Sequence, residues 1–272
     1  MYSQIAEAIK LAVQPVAVIF SDEKPEKAVE FKEKTWGCTL WLMSGAAKGN
    51  TAVCSRKTFG CFGGGTGVGF GDQYENFPGG TECFCRFLSS GNKGDEMGEA
   101  VAEGMKQFAK PEFIEQFLQG ERYIKTPEDV HEFIDDLPLI DIPTEYVIYK
   151  PLSEVDPEKE KPVSIVFFSD PDQFAAIGVL VNYSSPGNDN VKFPFAGGCQ
   201  SLGIHSYAEG DKEHPKAVAS LMDLSSRLYL RSAFGENVMA MSVPWKLFQV
   251  MEENVDGSFL QCHTWQELSK DK

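Results

Sequence analysis

Apolar positions alternate along this chain between short β-branched runs and stretches with helical period. Ile5, Ala8, Ile9 and Val13 fall on one face, predicting a helix over residues 2–13. Pro15-Val16-Ala17-Val18-Ile19-Phe20 reads as a buried strand, and Ser21 to Lys27 as a polar turn opening a short helix. Cys38 to Lys48 is an apolar helix stopped by Gly49, followed by a strand near Thr51-Ala52-Val53 and a glycine loop from Gly60 to Gly71. Met97, Val101, Met105 and Phe108 have helical spacing. Pro111 opens a helix that Gly120 closes, and Thr126 caps another. Tyr146-Val147-Ile148-Tyr149 is a strand, and residues 151–161 are a charged connector.

After the connector the pattern begins again. Pro162-Val163-Ser164-Ile165-Val166-Phe167-Phe168-Ser169-Asp170 echoes Pro15-Val16-Ala17-Val18-Ile19-Phe20-Ser21-Asp22, and Asp170 with Gln173 forms a capping box. Cys199 to Gly210 spans the same twelve residues as Cys38 to Gly49. Both stretches begin Gly-Cys and end Ala-x-Gly, and Ala217-Val218 follows the second as Ala52-Val53 follows the first. A strand from Asn237 to Val243 and a helix from Pro244 to Glu253 close the second copy. The expected architecture is α/β: two similar strand–helix lobes, about 1–150 and 162–272, forming one mixed-sheet domain over 1–272 with Cys38 and Cys199 in equivalent places.

Composition narrows the function classes. With 42% hydrophobic residues, the 272-residue chain can bury a substantial core. Its net charge of −15 disfavours polyphosphate binding, and no basic stripe follows a nucleic-acid backbone. No apolar run reaches the ~18 residues of a membrane span. The N-terminus has neither a basic nor an apolar leader region, which predicts a reducing cytoplasm.

In that setting the seven cysteines become the leading chemistry, since clustered thiols there bind metal or do redox work. Cys38 and Cys199 each follow glycine and open a helix, whose free N–H groups stabilise a thiolate. Cys61 lies in the segment 60–71, with seven glycines in twelve residues, and the amides of Gly60, Gly63, Gly64, Gly65 and Gly198 could surround an anion or a cluster. That segment has neither the Gly-x-Gly-x-x-Gly register nor a following Gly-Lys-Ser/Thr, which excludes a dinucleotide fingerprint and a P-loop. Cys83-Phe84-Cys85 is a Cys-x-Cys pair that a loop would bring to one metal, whereas a strand would point the two thiols apart. Cys54 lies seven residues before Cys61, and Cys262 adjoins His263. None of these spacings is that of a ferredoxin or zinc finger. The four histidines form no His-Glu-x-x-His, and no Gly-x-Ser-x-Gly elbow occurs. Arg227 and Arg231 could bind an anion or pair with internal carboxylates.

Trp36-Gly37-Cys38 with Ala46-Ala47-Lys48-Gly49, Thr58-Phe59-Gly60-Cys61 with Gly69-Phe70-Gly71, Gly198-Cys199, Gln14 through Val18 and Val238 through Val250 resemble the domain of unknown function 169 family of bacteria and archaea. The resemblance implies that Cys38, Cys61 and Cys199 lie in that family's characteristic motifs. Its members are frequent in anaerobes, a setting compatible with oxygen-sensitive clusters. The expected function is a redox protein with an iron–sulfur cluster of the 4Fe-4S type. Cys38, Cys61 and Cys199 would be its ligands and Cys83 or Cys85 the fourth, with a redox partner protein or small molecule as its counterpart. A small-anion sensor with structural cysteines and a cysteine-dependent enzyme are the alternatives.

Overall fold

A computed structural model describes all residues, Met1–Lys272. They form two compact units, Met1–Phe70 with Ile140–Lys272, and the intervening Gly71–Leu139. The first unit opens with α1 (Gln4–Ala8), β1 (Val16–Ser21), α2 (Thr39–Ala47), β2 (Ala52–Ser55) and α3 (Phe62–Gly67). The second contains α4 (Gly80–Leu88), α5 (Glu96–Met105), α6 (Pro111–Gln119) and α7 (Pro127–Asp135). The first then resumes with β3 (Tyr146–Pro151), β4 (Ser164–Ser169), α8 (Pro171–Tyr183), β5 (Val191–Lys192), α9 (Gly198–Leu202) and α10 (Ile204–Gly210). It ends with β6 (Ala217–Ser220), α11 (Leu224–Phe234), β7 (Met239–Pro244), α12 (Trp245–Glu253) and α13 (His263–Leu268).

All seven strands join one mixed sheet in the order β2-β3-β1-β4-β7-β6-β5. Every pairing is antiparallel except β5 with β6. Period-two alternation gives the sheet two apolar faces. Ala17, Ile19, Ile165 and Phe167 pack with Ile5, Ile177, Leu180 and Phe248 in one core. Val16, Val18, Val166 and Phe168 pack with Leu40, Met43, Leu202 and Leu230 in the other. At the centre Ala17 faces Ile165, flanked by Val16↔Val166 and Val18↔Ser164. β1 runs against β3 from Val16↔Pro151 to Ser21↔Tyr146, and β4 against β7 from Ser164↔Pro244 to Ser169↔Met239. Ala52 faces Tyr149 across β2 and β3, and Val218 faces Ser242 across β6 and β7.

The second unit is helical around stacked rings. Tyr74 lies 4.0 Å from Phe84, and Phe77 lies 5.9 Å from Phe117. Asn92 ties α4 to α6 by donating to the carbonyls of Cys83 and Phe117 at 3.0 and 3.1 Å.

Several local expectations change. The first helix ends at Ala8, because the chain turns through Lys10 at φ 54°. No helix follows Ser21; Val29 instead bridges to Ala52. The glycine segment is not a loop. Cys61 caps α3, and its sulfur accepts the Gly64 N–H at 3.2 Å. Each glycine lowers intrinsic helix stability by about 1 kcal/mol relative to alanine. Here their smallness permits the close packing of α3 on α9 that holds the helix. Cys83-Phe84-Cys85 lies on helix α4, neither loop nor strand. Residues 199–210 are two helices broken at Gly203, where a Cβ would stand 2.0 Å from the Gly67 carbonyl oxygen. Over 151–161 the chain turns back so that Lys150 and Glu160 pair at 2.8 Å.

Candidate functional site: a three-cysteine centre

Three helices of the first unit begin at one place, and each carries a cysteine at its start. Cys38 is the N-cap of α2, Cys61 the N-cap of α3, and Cys199 lies in the first turn of α9. Glycine makes this approach possible. Gly60, at φ +85°, comes so close to the segment before Cys38 that a Cβ would stand 2.4 Å from the Gly37 carbonyl oxygen. A Cβ on Gly64 would lie 2.3 Å from the Thr39 hydroxyl, which itself donates to the Phe59 carbonyl at 3.0 Å. A Cβ on Gly67 would lie 2.7 Å from the Cys199–Gln200 backbone, and one on Gly198 2.5 Å from the Leu40 side chain. The Cys199 thiol donates to the Gly63 carbonyl at 3.2 Å. Gly65 is buried within α3.

The Gly64 N–H donates to the Cys61 sulfur at 3.2 Å, while the Leu40 and Trp41 backbone amides act to lower the pKa of Cys38 and the Gln200 amide that of Cys199. Burial nevertheless dominates. It pushes the Cys38 and Cys199 thiols above their ordinary range, and the Cys61 and Cys38 groups push Cys199 further. Both are therefore neutral thiols in this state, and no three His, Cys, Asp or Glu side chains stand in metal-ligating geometry.

Sequence reading missed the supports of this centre. The Cys38 thiol donates to the Ser226 hydroxyl at 3.8 Å, and Ser226 donates to Asp223 at 2.6 Å. The same carboxylate caps α11 through the Ser226 N–H at 2.8 Å and holds the Gly198 N–H at 2.9 Å. One side chain thus fixes the segments carrying Cys38 and Cys199. The Asp-x-x-Ser spacing ahead of a helical stretch was the available signal. Cys54 is fully buried on β2, an electrostatic neighbour of Cys61, and its thiol is pushed up by burial beside Tyr149.

The remaining candidates are carried by other elements. Cys83 and Cys85 are buried on α4, where Glu82 and Arg86 influence both thiols; burial pushes Cys85 up to about 12. Cys262 is exposed, and no two of the seven cysteines form a disulfide. The Arg227 guanidinium donates to the carbonyls of Leu221, Val238 and Glu236, and Arg231 pairs with Glu236. These two arginines brace the end of α11.

A seven-stranded mixed sheet with helices that carry cysteines at their starts defines an α/β protein with a partly buried thiol centre. The model of the domain of unknown function 169 family, described as uncharacterised ArCR, matches residues 4–254, and the chain belongs to that family. No curated protein and no solved structure matches the chain. No helix is long and apolar enough to cross a membrane.

Proposed function

We propose that this chain binds an iron–sulfur cluster of the 4Fe-4S type through Cys38, Cys61 and Cys199 and works as a redox protein. The observation that carries the reading is the meeting of three cysteine-bearing helix starts, one of whose sulfurs, that of Cys61, accepts a backbone N–H. Three thiols make a soft donor set of the kind that selects iron–sulfur clusters over hard cations. N–H groups directed at ligand sulfurs are a known means of setting cluster potential. When bound, such a cluster supplies electron transfer and, with three cysteine ligands, leaves one iron for another donor. A small molecule is a candidate for that fourth place.

The first unit's strand order also favours an internal repeat, with β1, α2, β2 and β3 corresponding to β4, α9–α10, β6 and β7. The symmetric Ala17–Ile165 crossing and the matching β1–β3 and β4–β7 registers support it. Cys38 and Cys199 would then be equivalent ligands related by a pseudo-two-fold axis. A cysteine-nucleophile enzyme is disfavoured, because reactive thiols have lowered pKa values and Cys38 and Cys199 are raised. Iron and sulfide analysis after anaerobic purification tests the proposal: brown protein supports it, and colourless protein without iron or sulfide overturns it.

A further inference from the structure

Large apolar side chains stand out in solvent around the cysteine-bearing helix starts. Trp36, Trp41, Phe195, Leu224 and Leu228 are 44–72% exposed. Trp36 precedes Cys38 by two residues, and its ring lies 5.8 Å from that of Tyr229 on α11. Trp41 is in the first turn of α2, with the Phe31 ring 6.1 Å away. Phe195 leads into Gly197, the N-cap of α9, and Asp223 holds the next amide, that of Gly198. Leu224 follows Asp223, and Leu228 stands one turn further along the same outward face of α11. Exposed apolar residues scattered singly are ordinary, but a group gathered at one site marks a docking surface.

The charge around this group is opposite to that of the chain. Residues 31–38, 56–61 and 191–199 lead into Cys38, Cys61 and Cys199. They carry five cations, Lys32, Lys34, Arg56, Lys57 and Lys192, against one acid, Glu33, in a chain of 40 acids and 25 bases. Arg56 and Lys192 have acidic partners in Asp141 and Glu209, whereas Lys32, Lys34 and Lys57 are exposed to solvent. The acids of α11's two ends are engaged: Asp223 turns inward onto Gly198 and Ser226, and Glu236 pairs with Arg231. An aromatic and aliphatic centre with a charged rim is the anatomy of a protein interface, and a cationic rim selects an acidic partner. Two copies of this face meeting about a two-fold axis would set cations against cations, which disfavours a second copy of the chain.

We propose that this face, centred on Trp36, Leu224 and Leu228, docks a small acidic electron-carrier protein. The partner's role rests on the cluster reading; the face and its charge do not depend on iron.

A small acidic ferredoxin is the probe. Its binding to the full chain is followed by calorimetry at low and high salt. The proteins compared are wild type, Leu224→Ser with Leu228→Ser, Lys32→Glu with Lys34→Glu, and Val179→Ser. Val179 is the control: it is half-exposed, but on α8, whose buried residues pack in the core on the other side of the sheet. The expected result is saturable binding to wild type that weakens as salt rises, unchanged in V179S and roughly tenfold or more weaker in each double variant. The loss from charge reversal should be largest at low salt. All four substituted side chains are exposed, so the double variants should melt with wild type. No saturable binding to wild type, or binding by both double variants equal to that of wild type, overturns the proposal. So does a wild type that ignores ferredoxin but sediments with phosphatidylglycerol vesicles, or that self-associates until Leu224 and Leu228 are replaced. Iron and sulfide are measured in the same samples. Binding without iron ends the cluster reading alone, and iron without binding ends the docking proposal alone.

Discussion

A methyl group at position 64 would stand 2.3 Å from the Thr39 hydroxyl and 3.1 Å from the Cys61 sulfur. Overpacking of that kind costs about 1–3 kcal/mol, more than the ~1 kcal/mol that alanine gains over glycine in a helix. Gly64→Ala should therefore lower stability and disturb the thiol centre. Gly45 offers the opposite case, since nothing lies within 4 Å of a Cβ there, in the last turn of α2. Gly45→Ala should raise stability by about 0.5–1 kcal/mol. Urea melts of the two variants check both signs. Asp223→Ala removes the α11 cap together with the bond to Gly198, and should cost about 1–2 kcal/mol. The cysteines and their glycines were legible as a site because glycine beside a helix-opening cysteine is a local pattern. Asp223 was not: what matters about it is which distant segments it faces.

Helices α3, α9 and α10 meet where Gly67 crosses Gly203. Gly67→Ala and Gly203→Ala each insert a methyl into that crossing, the second within 2.0 Å of the Gly67 oxygen. Each should destabilise by about 1–3 kcal/mol. Once one methyl has pushed the helices apart the second costs less, so the double variant should lose less than the sum, read from a double-mutant cycle. The long capped helices and the β-branched strands were legible because propensity and packing agree there. Helix α3 was not: seven glycines argue for a loop, and only packing against α9 holds six residues of that stretch helical. Cys83-Phe84-Cys85 misled for the same reason, since its helix rests on the Tyr74, Phe77 and Phe117 rings.

Away from the thiol centre, Glu209 on α10 has a 0% exposed carboxylate paired with Lys192 at 3.2 Å and Lys212 at 2.8 Å, joining β5 to the helix layer. Burial alone would raise its pKa, but Lys212, the Lys216 N–H and Lys192 outweigh it and hold the value below the ordinary range. A depressed carboxylate contributes stability above its unfolded pKa of about 4.3 and loses it as pH falls through the folded value. The stability gap between wild type and Glu209→Gln should be clear at neutral pH and shrink in acid. Urea melts at several pH values read it directly.

For the whole molecule, the division into two units makes its own prediction. The ends flanking the second unit are tied together by the Phe70↔Asp141 bridge and by the Ile142 N–H to Gly69 carbonyl bond at 2.8 Å. A short glycine–serine linker replacing residues 71–139 should leave a cooperatively folding first unit, seen as a single denaturation transition. The sequence echo between residues 15–22 and 162–170 was legible as strand pattern, and both segments lie at the centre of the sheet. The place of β5 and the insertion of the second unit were not legible, because strand order depends on pairings far apart in the chain. The central claim concerns the three cysteines, and iron and inorganic sulfide per chain after anaerobic purification test it most directly. The account predicts about four of each in wild type, unchanged in Cys262→Ser and sharply reduced in Cys38→Ser, Cys61→Ser and Cys199→Ser. Wild type free of iron and sulfide, or full iron in a Cys38→Ser, Cys199→Ser double variant, would contradict it.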